Sequence, residues 1–144
     1  MFAAAFYKST KPGIPGLYNR VVRLFEGGPY SHCELIFSDG QSASASYMDG
    51  GVRFMDGIDF ANGKWDVVPL NPDLEQEARA WFLVHVGQSY DLRGNLRFVL
   101  PWGNRDSKNK QFCSESLLSA LGVNNAWRFG VNAAADVCER LCRQ

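Results

Sequence analysis

Residues 111–118 of the chain read QFCSESLL and join a turn-rich polar stretch, residues 103–110, to apolar residues at helical spacing. This pattern predicts a helix that begins at or beside Cys113 and ends near Gly122. Backbone N–H groups and the helix dipole favour negative charge at a helix N-terminus, so a thiol placed there loses its proton more easily. Glu115 in the first turn suits the same dipole. Cys113 is therefore a candidate nucleophile, and a small buried residue under a helix start is the alternative interpretation.

The composition is that of a globular protein. Of the 144 residues, 46% are hydrophobic and 13% aromatic, and the formal net charge is zero. We expect a single domain spanning residues 1–144. No basic run occurs, which argues against nucleic acid as a partner. No apolar segment reaches signal-peptide or membrane-spanning length, so we expect no integral membrane segment and a chain that is cytoplasmic at synthesis.

Hydrophobic periodicity predicts an α+β fold. The predicted strands cover residues 2–7, 30–37, 41–47, 52–55 and 65–70. The second, third and fourth should form an antiparallel meander, and the fifth, which contains a proline, should lie at a sheet edge. The other predicted helices cover residues 17–25, residues 73–86, and a last segment from an Asn132 N-cap through Cys142. The long segment 88–110 contains a short predicted helix at 95–100, and Trp102 is a candidate for lining a cleft.

A cysteine nucleophile needs a base that takes its proton and later protonates the leaving group. The chain has two histidines. His32 lies on a predicted central strand, which would hold its imidazole rigidly. His85 lies near the end of a helix beside aromatic residues, where a structural role is favoured. A satisfied polar residue at a strand start is the alternative interpretation of His32.

Strand alternation places Glu34 on the same face as His32 and Cys33 on the opposite face, which argues against a metal site at residues 32 and 33. Glu34 is one candidate to orient the imidazole, although residues two apart on a strand are separated by about 6.5 Å. The neighbouring strand offers alternative hydroxyls on one face: Ser42, Ser44 and Ser46. The residues alone leave this choice open.

The remaining cysteines indicate core packing. Cys138 and Cys142 are four residues apart on the last predicted helix, but zinc would need further thiolate or imidazole ligands at metal spacing. We therefore expect Cys33, Cys138 and Cys142 to be buried and unbridged, with no metal and no cofactor.

Four short motifs resemble a known family: SHCEL at residues 31–35, GGVR at 50–53, GQSYD at 87–91 and FCSE at 112–115. In this order they resemble the circularly permuted branch of the NlpC-type papain-like cysteine hydrolases, the YiiX-like and lecithin:retinol acyltransferase-like group. The resemblance implies a papain-like α+β fold, in which a cysteine helix packs on an antiparallel sheet whose strand carries the histidine.

The resemblance also implies roles for individual residues. Cys113 would be the nucleophile and His32 the base, and Tyr90 and Ser114 would lie on the substrate or oxyanion side. The third polar residue of the family normally follows on the next strand, where this chain has Ser42 and Ser44. Ser44 and the substitute Glu34 both remain candidates for the orienting role.

Two classes of function follow. The first is a cysteine hydrolase or peptidase, or an acyltransferase, that acts on an amide, isopeptide or ester bond. The wider superfamily suggests a peptidoglycan stem peptide as substrate, reached by delivery to the envelope through another machinery, and the permuted branch suggests acyl lipids or isopeptides. The second class is a non-catalytic binding or structural component, for example of a phage or secretion assembly. For the first class, the Cys113 sulfur and a His32 ring nitrogen should lie within about 4 Å.

Overall fold

The computed structural model describes residues 1–91 and 110–142. The predicted short helix at 95–100 and Trp102 lie outside the described residues. No helix in these two ranges is long and apolar enough to cross a membrane.

Within residues 1–91 and 110–142, five strands form the main sheet: β1 (Ala3–Tyr7), β2 (His32–Ile36), β3 (Ser42–Ser46), β4 (Gly51–Met55) and β5 (Trp65–Pro69). Their order is β4-β3-β2-β1-β5, and every neighbouring pair is antiparallel. The predicted meander and the edge position of the proline-containing strand are both confirmed. The α+β class is also confirmed.

In the part of the chain that the structure describes, four helices accompany this sheet: α1 (Ile14–Glu26), α2 (Glu75–His85), α3 (Cys113–Ala120) and α4 (Val131–Cys142). A short 3-10 turn, Pro72–Leu74, leads into α2. The helix predicted around the candidate nucleophile therefore begins at Cys113 itself, and Gly122 follows its end with a left-handed φ of 77°.

The predicted N-cap of the last helix is wrong. Helix α4 begins at Val131, so Asn132 lies inside its first turn. The Glu26 carboxylate accepts from the backbone N–H and the side-chain amide of Asn132, both at 3.1 Å. The Asn132 side-chain oxygen accepts from the Tyr30 backbone N–H at 2.9 Å. A carboxylate from α1 thus satisfies the helix start, and Asn132 joins two segments instead of capping its own helix.

One face of the sheet carries the main core. Cys33 and Leu35 of β2 lie on this face with buried side chains of the helical layer, including Phe82, Leu117 and Leu118. Each such Leu or Phe contributes about 1.5–3 kcal/mol when removed from water. The opposite face has a smaller cluster, in which Ala3, Ala5 and Ile36 pack with Phe60, Trp65 and Val67. His32 and Glu34 belong to this opposite face, since they pair in register with Tyr7 and Ala5.

Strands β2 and β3 pair over only part of their length. Leu35 pairs with Ala43 and Ile36 with Ser42, and the ladder stops before Cys33. Beyond that point the Ala45 N–H donates to Ser116 Oγ of α3 at 3.2 Å, and Ser116 Oγ donates to the Cys113 carbonyl at 2.9 Å. The first turn of α3 therefore takes a hydrogen bond that a continued β2 would have made.

A second, two-stranded parallel sheet lies next to the start of α3. It pairs β6 (Ser89–Tyr90) with β7 (Lys110–Gln111). The Val52 N–H donates to the Gln88 carbonyl at 2.9 Å, which connects this small sheet to β4. Gly51 adopts a φ of 141°, and a Cβ there would lie 1.9 Å from the Gln88 carbonyl oxygen. Only glycine permits this close crossing.

All four cysteines are free, and Cys33, Cys113 and Cys138 are buried. The prediction that Cys142 is buried is wrong, because this residue is exposed in the last turn of α4. Cys138 and Cys142 lie on the same helix face, but Cys138 packs within the core whereas Cys142 is the last residue of the helix and is exposed.

Candidate active site

Cys113 is the first residue of α3, preceded by Phe112 in extended conformation. Its side chain is buried, and the neighbouring His32 imidazole, the Cys33 thiol and the Cys33 backbone all act to lower the pKa of its thiol. The hydrogen bond from the Cys33 thiol is the largest influence on the pKa of Cys113. Together with the His32 imidazole it holds that pKa well below its ordinary value of 9.0, although burial acts in the opposite direction.

The place where β2 and β3 separate explains how one sulfur reaches two neighbouring residues of a strand. Side chains of His32 and Cys33 point to opposite faces of β2. Because the ladder to β3 stops before Cys33, the start of α3 approaches the strand at this edge. There the Cys113 sulfur contacts the imidazole of one residue and the thiol of the next.

His32 forms hydrogen bonds with groups on both sides. Its Nε2 lies 2.8 Å from Glu34 Oε1, which leaves Nδ1 as the ring nitrogen for the Cys113 sulfur. Burial acts to lower the pKa of His32, but the hydrogen bonds with Cys113 and Glu34 outweigh it and raise this pKa to about 9. The imidazole is also the more accessible part of the site, with 23% of its side chain exposed.

Glu34 is held as a carboxylate by Arg53 of β4. Arg53 donates to Glu34 Oε2 at 2.7 Å and to Glu34 Oε1 at 2.5 Å. The Arg53 Nε donates in turn to Asp49 at 2.9 Å. Burial of Glu34 raises its pKa, yet the hydrogen bonds from Arg53 and His32 bring it down to about 2. A bidentate guanidinium is the partner that best compensates a buried carboxylate.

Of the candidates for orienting the imidazole, the structure brings Glu34 to His32. Ser44 lies elsewhere, since its Oγ donates to the Cys33 carbonyl at 2.6 Å. Ser42 Oγ donates to the Met55 carbonyl at 3.3 Å. Ser44 pairs in register with Arg53, so the Arg53 side chain passes over this small residue on its way to Glu34. The serine therefore provides space on the sheet face and a contact to the Cys33 backbone.

The two residues predicted on the substrate side have partners of their own. Ser114 is buried, and its Oγ donates to the Phe129 carbonyl at 2.9 Å. Tyr90 lies half-buried in β6, where it packs against the core and against Tyr47 with ring centroids 6.0 Å apart. The structure thus gives Ser114 a structural contact and places Tyr90 in the small sheet that precedes Cys113.

His85 has the surroundings of a structural residue. Its Nδ1 lies 2.7 Å from the Trp81 carbonyl, and its ring stacks on Trp81 at a centroid distance of 3.8 Å. It lies on the wall of a cleft of about 470 Å³ between α2, α3 and the segment after α3. Cys113, His32 and Glu34 are not among the residues that line this cleft.

Sequence reasoning missed the contributions of Cys33 and Arg53. Strand alternation assigned Cys33 to the face away from His32, and nothing in the residues signals that the sheet opens at this point. For Arg53 the sequence gives only a weak signal. Its position on a hairpin strand can be assigned to the same sheet face as Glu34, but only once the strand register is known.

Within the described residues, no group of three or more His, Cys, Asp or Glu side chains is placed to hold a metal ion. In comparisons with known proteins, no family model matches the chain and no curated protein matches it.

Proposed function

We propose that the protein is a cysteine-dependent hydrolase that cleaves an amide, isopeptide or ester bond through Cys113, His32 and Glu34. The observation that carries this proposal is the placement of Cys113 at the first residue of α3 beside His32, whose imidazole lowers the pKa of Cys113 and whose Nε2 lies 2.8 Å from the Glu34 carboxylate. Nucleophile, base and orienting group in this order form the arrangement that nucleophilic catalysis requires. The antiparallel sheet packed against the cysteine helix supports a papain-like fold of the permuted NlpC-type branch.

The charge states favour the resting form of such an enzyme. The pKa of Cys113 is depressed and that of His32 is raised to about 9. At neutral pH the pair therefore exists as a thiolate and an imidazolium, so the nucleophile needs no further activation. Glu34, whose pKa is about 2, is ionised at the same pH and holds the charged ring in place.

The reaction would proceed in two halves. The Cys113 thiolate attacks the substrate carbonyl carbon, and backbone N–H groups at the start of α3 stabilise the oxyanion. The tetrahedral intermediate collapses as His32 donates its proton to the leaving amine or alcohol, which leaves a thioester on Cys113. His32 then takes a proton from water, the resulting hydroxide attacks the thioester, and the acid product departs while the thiolate and imidazolium are restored. An alcohol or amine in place of water would give acyl transfer.

The site favours catalysis over a purely binding role for a physical reason. Removing a thiolate, an imidazolium and a carboxylate from water is costly, and apolar residues of similar size would stabilise a binding module better. The proposed substrates, namely a peptidoglycan stem peptide, an isopeptide or an acyl lipid, follow from the family resemblance.

A small activated ester tests the proposed chemistry without knowledge of the natural substrate. With p-nitrophenyl acetate, the wild-type protein should release p-nitrophenol and carry an acetyl group on Cys113 that mass spectrometry of the acid-quenched protein detects. Cys113→Ala should do neither, whereas the exposed-cysteine variant Cys142→Ala should behave as wild type. Absence of the adduct in wild type would favour the non-catalytic component.

A panel of peptidoglycan, an isopeptide-linked peptide and an acyl lipid, each incubated with wild type and Cys113→Ala, would then separate the substrate classes. Activity on one class that disappears in Cys113→Ala identifies the substrate. Product formation that persists in Cys113→Ala would show that another group is responsible.

A further inference from the structure

Two buried thiols meet at the candidate active site. The Cys33 side chain forms a hydrogen bond with the Cys113 sulfur, and both residues belong to the same buried cluster. Cys33 is fully buried and unbridged. Hydrolysis as described above uses the Cys113 sulfur and the His32 imidazole but leaves the Cys33 sulfur unused.

The backbone carries these two thiols on separate packed elements. Cys33 lies on β2 and Cys113 begins α3, and the ladder between β2 and β3 is interrupted beside Cys33. At this interruption the start of α3 packs directly against β2. A disulfide needs the two sulfurs to approach to about 2.05 Å, with Cα atoms about 4.4–6.8 Å apart. Cys33 and Cys113 act on each other's pKa and share one buried cluster, which makes them the pair of thiols placed to meet this condition.

An oxidant can enter where the substrate would. The His32 side chain is 23% exposed and touches the Cys113 sulfur, so the imidazole marks the opening of the site. A thiolate is the form of cysteine that hydroperoxides oxidise, and a nearby second cysteine resolves the product.

We propose that Cys33 is a resolving cysteine, which forms a reversible disulfide with Cys113 after a hydroperoxide has oxidised Cys113. This inference rests on the proposed function, since it uses the reactive thiolate of the same site. Cys33 would then be a site of oxidative modification. The disulfide would inactivate the enzyme, and a dithiol reductant would restore its activity.

The chemistry balances in two steps. The Cys113 thiolate attacks the distal oxygen of the hydroperoxide, the O–O bond breaks, and the departing alkoxide takes the proton of the His32 imidazolium to become an alcohol. Cys113 is then a sulfenic acid. The neutral imidazole accepts the Cys33 proton, the Cys33 sulfur attacks the sulfenic sulfur, and the S–O bond breaks with loss of water. In total, two thiols and one hydroperoxide give one disulfide, one alcohol and one water.

The pKa values change in the direction that this sequence needs. In the reduced protein, burial and the adjacent Cys113 thiolate raise the pKa of Cys33 well above its ordinary value. Oxidation of Cys113 to the neutral sulfenic acid removes that negative charge, so the Cys33 proton becomes easier to lose at the step where the thiolate is required. The resulting bond would also protect Cys113 from oxidation to the irreversible sulfinic acid.

The test uses the full chain and limiting hydrogen peroxide, with free thiols trapped in acid and peptides mapped by mass spectrometry without reduction. We expect a peptide pair that is joined through Cys33 and Cys113 and that dithiothreitol separates. Alkylation of Cys113 should be lost after peroxide treatment and recovered after dithiothreitol treatment. In Cys33→Ser, peroxide should instead drive Cys113 to sulfinic acid, and dithiothreitol should not restore alkylation. Cys33→Ala provides a second variant in case the serine is poorly tolerated.

Two matched controls come from the other cysteines. Cys138 is buried near Cys33 and Cys142 is exposed, so Cys138→Ala and Cys142→Ser should both retain the bond between residues 33 and 113. Sulfinic acid on Cys113 in wild type with Cys33 still free, or a bond from Cys33 to Cys138, would overturn the inference and leave the proposed hydrolase intact. A Cys113 that neither peroxide nor an alkylating agent modifies would overturn both.

Discussion

Arg53 of β4 donates two hydrogen bonds to Glu34 of β2, at 2.7 Å and 2.5 Å, across the intervening strand β3. Only 1% of the Glu34 side chain and 14% of the Arg53 side chain are exposed. The same carboxylate accepts from His32, so the charge that orients the imidazole is itself held by a guanidinium two strands away. Support of the candidate catalytic residues therefore extends across three strands of the sheet.

Replacing Arg53 by Ala should destabilise the protein strongly. The variant leaves the buried Glu34 carboxylate without its main partner, a situation that costs about 3–5 kcal/mol in measured cases. Urea denaturation of wild type and Arg53→Ala would give the difference in the free energy of unfolding. The control is Lys8→Ala, because Lys8 pairs with Asp66 where both side chains are about two-fifths exposed. Such exposed pairs contribute about 0.2–1 kcal/mol. An equal decrease in the free energy of unfolding in both variants would show that burial of the Arg53–Glu34 pair does not increase its contribution to stability.

Stability should fall in acid in a way that Glu34 dominates. The pKa of Glu34 in the folded protein is about 2, below its ordinary value of 4.5. Its contribution is therefore fully present above about pH 4.5 and is lost as the pH falls through about 2. Urea denaturation at several pH values should show a shallower acid decline for Glu34→Gln than for wild type. Asp66→Asn should change the decline less, since solvent screens that half-exposed carboxylate; the reverse order would refute the prediction.

The sequence predicts the framework of the site better than its connections. Alternation along β2 correctly separates Leu35 from Glu34, and the onset of helical spacing in the sequence correctly marks the start of α3 at Cys113. Local patterns of this kind depend on a few neighbouring residues. The hydrogen bond from Cys33 to Cys113 depends instead on where β2 and β3 separate, a feature set by packing of α3 against the sheet. Likewise, the carboxylate that satisfies the start of α4 comes from Glu26, more than a hundred residues away.

The residue that orients the His32 imidazole could not be identified from the sequence either. Residues two apart on a strand are separated by about 6.5 Å, so the spacing alone left the choice open between Glu34 and a serine of the neighbouring strand. In the structure Glu34 reaches His32 because both side chains lean toward each other, with Nε2 and Oε1 2.8 Å apart. This contact depends on the length and direction of the two side chains, which cannot be read from the spacing of the Cα atoms.

Cys33 should be measurable as a stabiliser of the Cys113 thiolate. In Cys33→Ala the largest influence that lowers the Cys113 pKa disappears, so this pKa should rise. Cys33→Ser retains an O–H donor and should raise it less. The pH dependence of thiolate absorbance in the ultraviolet, referenced to Cys113→Ala, measures both. A pKa of Cys113 that is the same in wild type and Cys33→Ala would assign the stabilisation to His32 alone.

Loss of the Glu34 carboxylate should move the upper pH limit of the reaction. The raised pKa of His32, about 9, depends on its hydrogen bonds with Cys113 and Glu34. Glu34→Gln keeps a hydrogen-bonding oxygen but removes the charge, so the imidazolium should lose its proton at lower pH. In wild type, acylation by p-nitrophenyl acetate should decline on the alkaline side near about pH 9, and in Glu34→Gln that decline should begin earlier. An unchanged alkaline limit would show that Glu34 does not support the imidazolium.

Alkylation of Cys113 should depend on His32 and not on His85. At about pH 6 an ordinary thiol is almost entirely protonated, so iodoacetamide should label Cys113 ahead of Cys33, Cys138 and even the exposed Cys142. His32→Ala removes the imidazolium that lies against the sulfur and should slow this labelling clearly. His85 stacks on Trp81 away from the thiol, so His85→Ala should leave the rate nearly unchanged and controls for the loss of a histidine. Time courses resolved by peptide mass spectrometry give the rate for each cysteine separately. Equal Cys113 rates in wild type, His32→Ala and His85→Ala would show that His32 does not activate the thiol, and the catalytic assignment would fail even though the fold stood.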